Sequence, residues 1–89
     1  MTIQLKSGSR IIMNEDSEGE RIIFMMRGLS ISAEVIEANE ELRGTEAWAN
    51  KEVELYEQAL KIDLQAEKEF VVDCLLNAAI SNKNLKQNA

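Results

Sequence analysis

Apolar and polar residues alternate at the start of the chain and change period later. In residues 2–6, Ile3 and Leu5 fall on one side and Gln4 and Lys6 on the other, the two-residue repeat of a half-buried strand. Ser7-Gly8-Ser9 reads as a tight turn, and residues 10–14 as the returning strand. Asn14-Glu15-Asp16-Ser17-Glu18-Gly19 is polar and ends in glycine, which predicts a second turn. Residues 21–27 follow, five apolar residues flanked by arginines. Ile22, Phe24 and Met26 share one face, and Ile23 and Met25 share the other. With both faces apolar, this strand is expected to lie centrally or to meet another subunit. The economical reading of residues 1–28 is a three-stranded antiparallel meander.

Gly28 is expected to end the sheet, after which the spacing suggests helix. Ser30 or Ser32 can cap it, Glu34 suits its first turn, and Val35, Ala38 and Leu42 make its apolar stripe, with Ile36 beside it. Gly44 suits the position just past its end, so residues 30–44 are assigned to a first helix, its body over residues 33–43.

Thr45 then caps a long helix over residues 45–81, which contain neither proline nor glycine. Trp48, Leu55, Ala59, Ile62 and Ala66 form one stripe, widened by Val53, Tyr56, Leu60 and Leu64. Glu57 precedes Lys61 in the order that favours a helical ion pair. In residues 70–80 only Asp73 and Asn77 are polar, so that segment must be enclosed nearly all round. About 35 continuous helical residues would run ~50 Å, whereas a globule of this length has a diameter of roughly 30 Å. Either the rod bends, near residues 62–67, although it contains no breaker, or it stays straight and a second molecule covers its end. Residues 82–89 read as a polar tail, with Lys83 and Lys86 complementing the helix end before it frays. The expected fold is therefore α+β, a single domain over residues 1–89 with a small antiparallel sheet packed on a short and a long helix.

Charge changes this picture in the middle of the chain. The net charge is −6. Residues 1–30 are balanced, while residues 31–69 carry eleven acids against four bases. Such a field disfavours nucleic-acid backbones and anionic lipid as direct partners and suits a basic protein. Glu34, Glu37 and Glu41 would share one face of the first helix, with Glu40 alongside. That acidic face is a solvated surface, or one that docks on a basic groove or imitates a phosphate backbone. Arg10, Arg21 and Arg27 lack the two interleaved aromatics of a nucleic-acid sheet face, so they read as strand-edge charges.

Candidate chemistry is sparse. The chain has no histidine, which removes the usual neutral-pH acid–base group and the commonest transition-metal ligand. Cys74 is the only cysteine, so no disulfide forms within the chain and a reducing cytoplasm is expected. Its apolar neighbours suggest a structural thiol rather than a reactive one. The pattern over residues 14–19 has oxygen side chains at the first, third and fifth positions of a calcium loop. Met25 stands where that loop needs its bidentate glutamate. No phosphate-loop or dinucleotide fingerprint occurs. Residues 1–6 lack the charged and long apolar regions of a signal peptide, and residues 22–26 are too short to span a bilayer.

No catalytic, cofactor-binding or metal-binding residue is therefore assigned, and enzymatic activity is not expected. Large apolar residues are the remaining candidates. Trp48, Tyr56, Phe70, Val71, Leu75 and Leu76 are expected either in the core or at an oligomer or partner interface. The leading reading is a non-catalytic, acidic protein-binding module that acts stoichiometrically as inhibitor, adaptor or assembly factor, as a homodimer or higher oligomer. One alternative is an acidic, phage-type inhibitor of a nucleic-acid enzyme. Another is an oligomer that binds a small molecule between subunits.

Overall fold

The computed structural model describes residues 1–16, 19–26 and 28–88, with side chains through Ser81 except those of Glu15 and Asp16. It is an α+β fold, a four-stranded antiparallel sheet followed by two helices. The strands are β1 (Thr2–Gln4), β2 (Arg10–Asp16), β3 (Gly19–Met26) and β4 (Leu29–Val35), in the order β1-β2-β3-β4. A 3₁₀ turn at Glu40–Leu42 leads to α1 (Glu46–Leu60). A second one at Gln65–Glu67 leads to α2 (Lys68–Asn88).

The first hairpin forms as the sequence predicts. Leu5 N–H donates to Ser9 O at 2.8 Å, Gly8 N–H donates to Leu5 O at 3.1 Å, and Gly8 takes φ 90°. Glycine reaches that angle without the clash a Cβ would bring. The second turn, at Ser17 and Glu18, lies outside the described residues, as does Arg27. The segment with the calcium-loop pattern is flanked by paired strands, Asn14 opposite Arg21 and Asp16 opposite Gly19.

Residues 30–44 do not form the expected helix. Residues 29–35 add a fourth strand, in the register Phe24 to Ile31 and Ile22 to Ala33. Leu29, Ile31, Ala33 and Val35 alternate with Ser30, Ser32 and Glu34, a two-residue period. Gly28, at φ 91°, turns the chain back along β3 rather than ending the sheet. The 3.6-residue stripe through Val35, Ala38 and Leu42 is therefore a coincidence of spacing. β3 does lie between two neighbours, as its two apolar faces imply.

The expected rod over residues 45–81 is broken. Thr45 caps α1 as predicted, its hydroxyl oxygen accepting from Trp48 N–H at 3.2 Å. Lys61 then takes a left-handed conformation at φ 55° and the helix stops. Asp63 Oδ1 accepts from Gln65 N–H at 2.9 Å, which supports the reversal. Glu57 does not meet Lys61 along a helix; its Oε1 accepts from Gln65 Nε2 at 2.6 Å. The connection is held to the first hairpin by Lys6 N–H donating to Glu67 Oε1. Packing explains the break. It lets Leu60 and Leu64 both reach the core and folds α2 back on α1. The radius of gyration is 12.8 Å, that of a compact chain of this length. The predicted polar tail continues α2 as far as Asn88.

Both helices contribute to a core on one face of the sheet. Ile3, Ile11, Met13, Ile22, Phe24 and Val35 meet Trp48, Val53, Tyr56, Leu60, Leu64, Val71 and Leu75. Val53, Tyr56 and Leu60 of the widening stripe are thus buried on α1 together with Trp48, and Leu64 is buried in the connection, whereas Ala59 and Ala66 are exposed. The opposite face of the sheet carries half-buried Ile12, Ile23 and Met25 among polar residues. There Arg21 and Glu34 pair across the strands at 3.9 Å, an exposed contact that contributes little to stability.

Candidate functional site

Two places stand out, a polar knot where β4 hands over to α1 and the free edge of β4 itself. The knot begins with the chain leaving the sheet. Glu37 follows β4, and Trp48 lies in the first turn of α1. Glu37 Oε1 accepts from Trp48 Nε1 at 2.9 Å, and its Oε2 accepts from Arg43 Nη1 at 3.2 Å. The Arg43 guanidinium carbon stands 5.8 Å from the centre of the Trp48 ring, within cation–π range. One turn along α1, Glu52 is fully enclosed at 0 % exposure. Its Oε1 accepts from Ala38 N–H at 2.8 Å, which fastens the chain after β4 to the helix.

Burial raises the Glu52 pKa above its ordinary value, against the Ala38 and Tyr56 hydrogen bonds, which lower it. Tyr56 sits one turn further on. Its hydroxyl reaches the Met13 sulfur at 2.7 Å and also lies beside the Glu52 carboxyl. The single hydroxyl proton serves one acceptor at a time, and a carboxylate oxygen attracts it more strongly than a thioether. Burial, then the charges of Glu52, Glu20 and Glu37, push the Tyr56 phenol well upward, so it stays a neutral donor. The knot therefore fixes loop and helix together.

Beside it opens a cleft of ≈ 320 Å³. Trp48, Tyr56, Glu20, Arg43, Met13 and Leu75 are among the residues that line it. Aromatic residues with a carboxylate and a guanidinium among the lining could hold a small polar molecule, although both charged groups already have partners within the fold.

The second place is β4. It is an edge strand with β3 on one side only. Leu29 is 70 % exposed, Ile31 42 % and Met26, opposite Leu29 on β3, 42 %. These three occupy the core face of the sheet, since they share it with buried Phe24 and Ile22, but they extend past the part that the helices cover. Natural edges are commonly protected by charge, proline or a bulge. Residues 29–33 of β4 carry no charge and no proline.

The residues singled out in the sequence fall differently. Trp48, Tyr56, Val71 and Leu75 are buried within this one chain, and Phe70 and Leu76 are half-buried against the same core. Their apolar surface is satisfied by the hairpin of α1 and α2, so the uncovered rod that called for a second copy does not exist. The four glutamates do not form a helical face. Glu34 is on β4, Glu37 is in the knot with its side chain 11 % exposed, and Glu40 and Glu41 lie in a 3₁₀ turn. Leu29, Ile31, Glu52 and Arg43 are not among the residues that the sequence singles out. The alternation through residues 29–35 was a visible signal for the first two, while nothing local marks Glu52 as buried.

No helix among the described residues is long and apolar enough to cross a membrane. Comparison with protein-family models, with curated proteins and with solved structures gives no match for this chain.

Proposed function

We propose that this protein is a non-catalytic binding module that acts stoichiometrically on a protein partner, as inhibitor, adaptor or assembly factor, by taking up an extended strand along β4. The supporting observation is the edge of β4, uncharged over residues 29–33, with Leu29 and Ile31 standing out from its core face. In strand addition the main chain supplies affinity and alternate side chains supply specificity. Leu29, Ile31 and Met26 would give the apolar contact, and Ser30 and Ser32 the polar one. The acidic run over residues 31–69 would orient a basic partner during approach.

Hydrogen exchange tests this on a complex captured from the native host. Amides of residues 29–35 should be better protected in the complex than in the dilute, monomeric protein, and Ile31→Asp should abolish capture while the fold survives. Unchanged β4 exchange together with undiminished capture by the variant would refute the reading.

The cleft beside Trp48 and Tyr56 favours a second reading, a small-molecule binder. A ligand-dependent rise in melting temperature across a panel of nucleotides and metabolites would support it, and its loss in Trp48→Ala would locate it. An acidic inhibitor of a nucleic-acid enzyme is the weaker alternative, because Glu37 is engaged inside the fold. Competition by DNA with steep salt dependence would favour it.

A further inference from the structure

We infer that the strand taken up along β4 is β4 of a second copy, so that two four-stranded sheets join into one of eight strands about a two-fold axis at Ser32. This rests on the strand-addition reading: in the free protein the edge is held by a second copy, which the strand of a foreign partner displaces. Ser32 is the midpoint of Leu29–Val35. An antiparallel pair centred on it brings all seven residues of each strand into register.

The pairs that result are complementary. On the core face Leu29 meets Val35 of the second copy, and Ile31 meets Ala33 of the second copy, each with its symmetric repeat. Large side chains thus stand beside smaller ones, the arrangement that packs without voids. On the other face Ser30 meets Glu34 of the second copy, and Ser32 meets itself. Glu34 is the one charged residue of the strand, and it faces a hydroxyl that can donate to it rather than another acid. An antiparallel pair centred on Glu34 would instead oppose two carboxylates, which disfavours it.

Exposure follows the same symmetry. The bare end of the strand is Leu29, at 70 %, and the covered end is Val35, at 5 %. α1 packs on β4, so each copy would bring its helix-covered end beside the other's bare one. The dimer closes on itself, because the same patch is used on both copies. Two molecules of charge −6 repel at a distance, but salt screens that repulsion over about 8 Å at physiological strength. Association of the copies is therefore strengthened by salt, the opposite of docking onto a basic partner.

Cysteine cross-linking reads both the dimer and its register. In a Cys74→Ser background, Ser32→Cys places two thiols directly opposite across the axis, within the Cα separation a disulfide accepts. Ser30→Cys places them four residues apart along the strands, about 13 Å, beyond reach of a bridge. With mild oxidant, Ser32→Cys should cross-link many-fold more than Ser30→Cys. Light scattering should give twice the 10.0 kDa protomer mass, with more dimer at higher salt. Equal cross-linking of the two variants overturns the register. A wild-type mass of one protomer at millimolar concentration, with no Ser32→Cys bridge, overturns the self-pairing. In that last case protection of β4 in a captured complex would still uphold strand addition by a foreign partner, so the two failures are separable.

Discussion

Replacing Glu52 with glutamine should stabilise the protein at neutral pH and leave it nearly unchanged in acid. Glu52 is wholly enclosed, and one of its oxygens has a backbone partner in Ala38 N–H at 2.8 Å. Burial raises its folded-state pKa above 4.5. The folded chain thus keeps the proton over a range in which the unfolded chain has released it. The stability linked to the neutral carboxyl is complete below pH 4.5 and is lost as pH climbs through the raised folded value. Across that window the loss reaches at most ~1.4 kcal/mol for each pH unit. Glutamine keeps an oxygen for Ala38 and removes the ion, so the gap between Glu52→Gln and wild type should open as pH rises from 4.5. Glu37 opposes ionisation of Glu52 and Arg43 assists it, and both remain in the variant. Glu52→Ala is the control. It leaves the Ala38 donor without its acceptor and should cost about 1–3 kcal/mol in acid, where the ion is absent from wild type too. Urea unfolding of the three proteins between pH 4 and pH 8 measures these differences. A Glu52→Gln variant that is equally destabilised at both ends of that range would refute the reasoning.

Three further outcomes are expected. Leu75→Asp puts a carboxylate where exposure is 1 % and should destabilise by at least ~3 kcal/mol, whereas Leu76→Asp, at a half-buried site, should cost far less; equal melting temperatures would contradict this. Lys61→Gly relieves a left-handed strain of roughly 1–2 kcal/mol and adds about 0.5–1 kcal/mol of chain entropy cost, so the urea midpoint should rise slightly, and a fall would count against the break seen there. The Cys74 thiol, whose pKa is raised by burial and then by Asp73, should react with an aromatic disulfide reagent more slowly in the folded protein than in denaturant; equal rates would argue for an open site.

Legibility of the fold tracked how local each signal was. The hairpin around Gly8 and the cap at Thr45 depend on two to four neighbouring residues, and both were readable. Residues 29–35 satisfied two periods at once, and the serines that suggested a helix cap are the outward residues of a strand. What decided between them was β3, a neighbour that offers hydrogen-bond partners only after the chain turns back at Gly28. The break at Lys61 has no breaker residue. It exists because Leu64, Val71 and Leu75 gain more by folding onto the sheet than a straight helix gains by continuing, a comparison between distant parts of the chain. The same distance hid the knot. Glu52 looks like a solvent glutamate in sequence, and only the approach of Ala38 makes it a clamp.

That late-arriving cover has a consequence for how the protein is made. The apolar floor of the sheet, with Ile3, Ile11 and Ile22, is synthesised ahead of its roof, which includes Val71, Leu75 and Ala79. A ribosome adding ~5–20 residues per second leaves that floor wet for seconds while the roof is still inside the exit tunnel. The nascent chain thus displays β-rich, greasy segments before it can hide them, and it is during this interval that chaperone contact or aggregation would compete with folding.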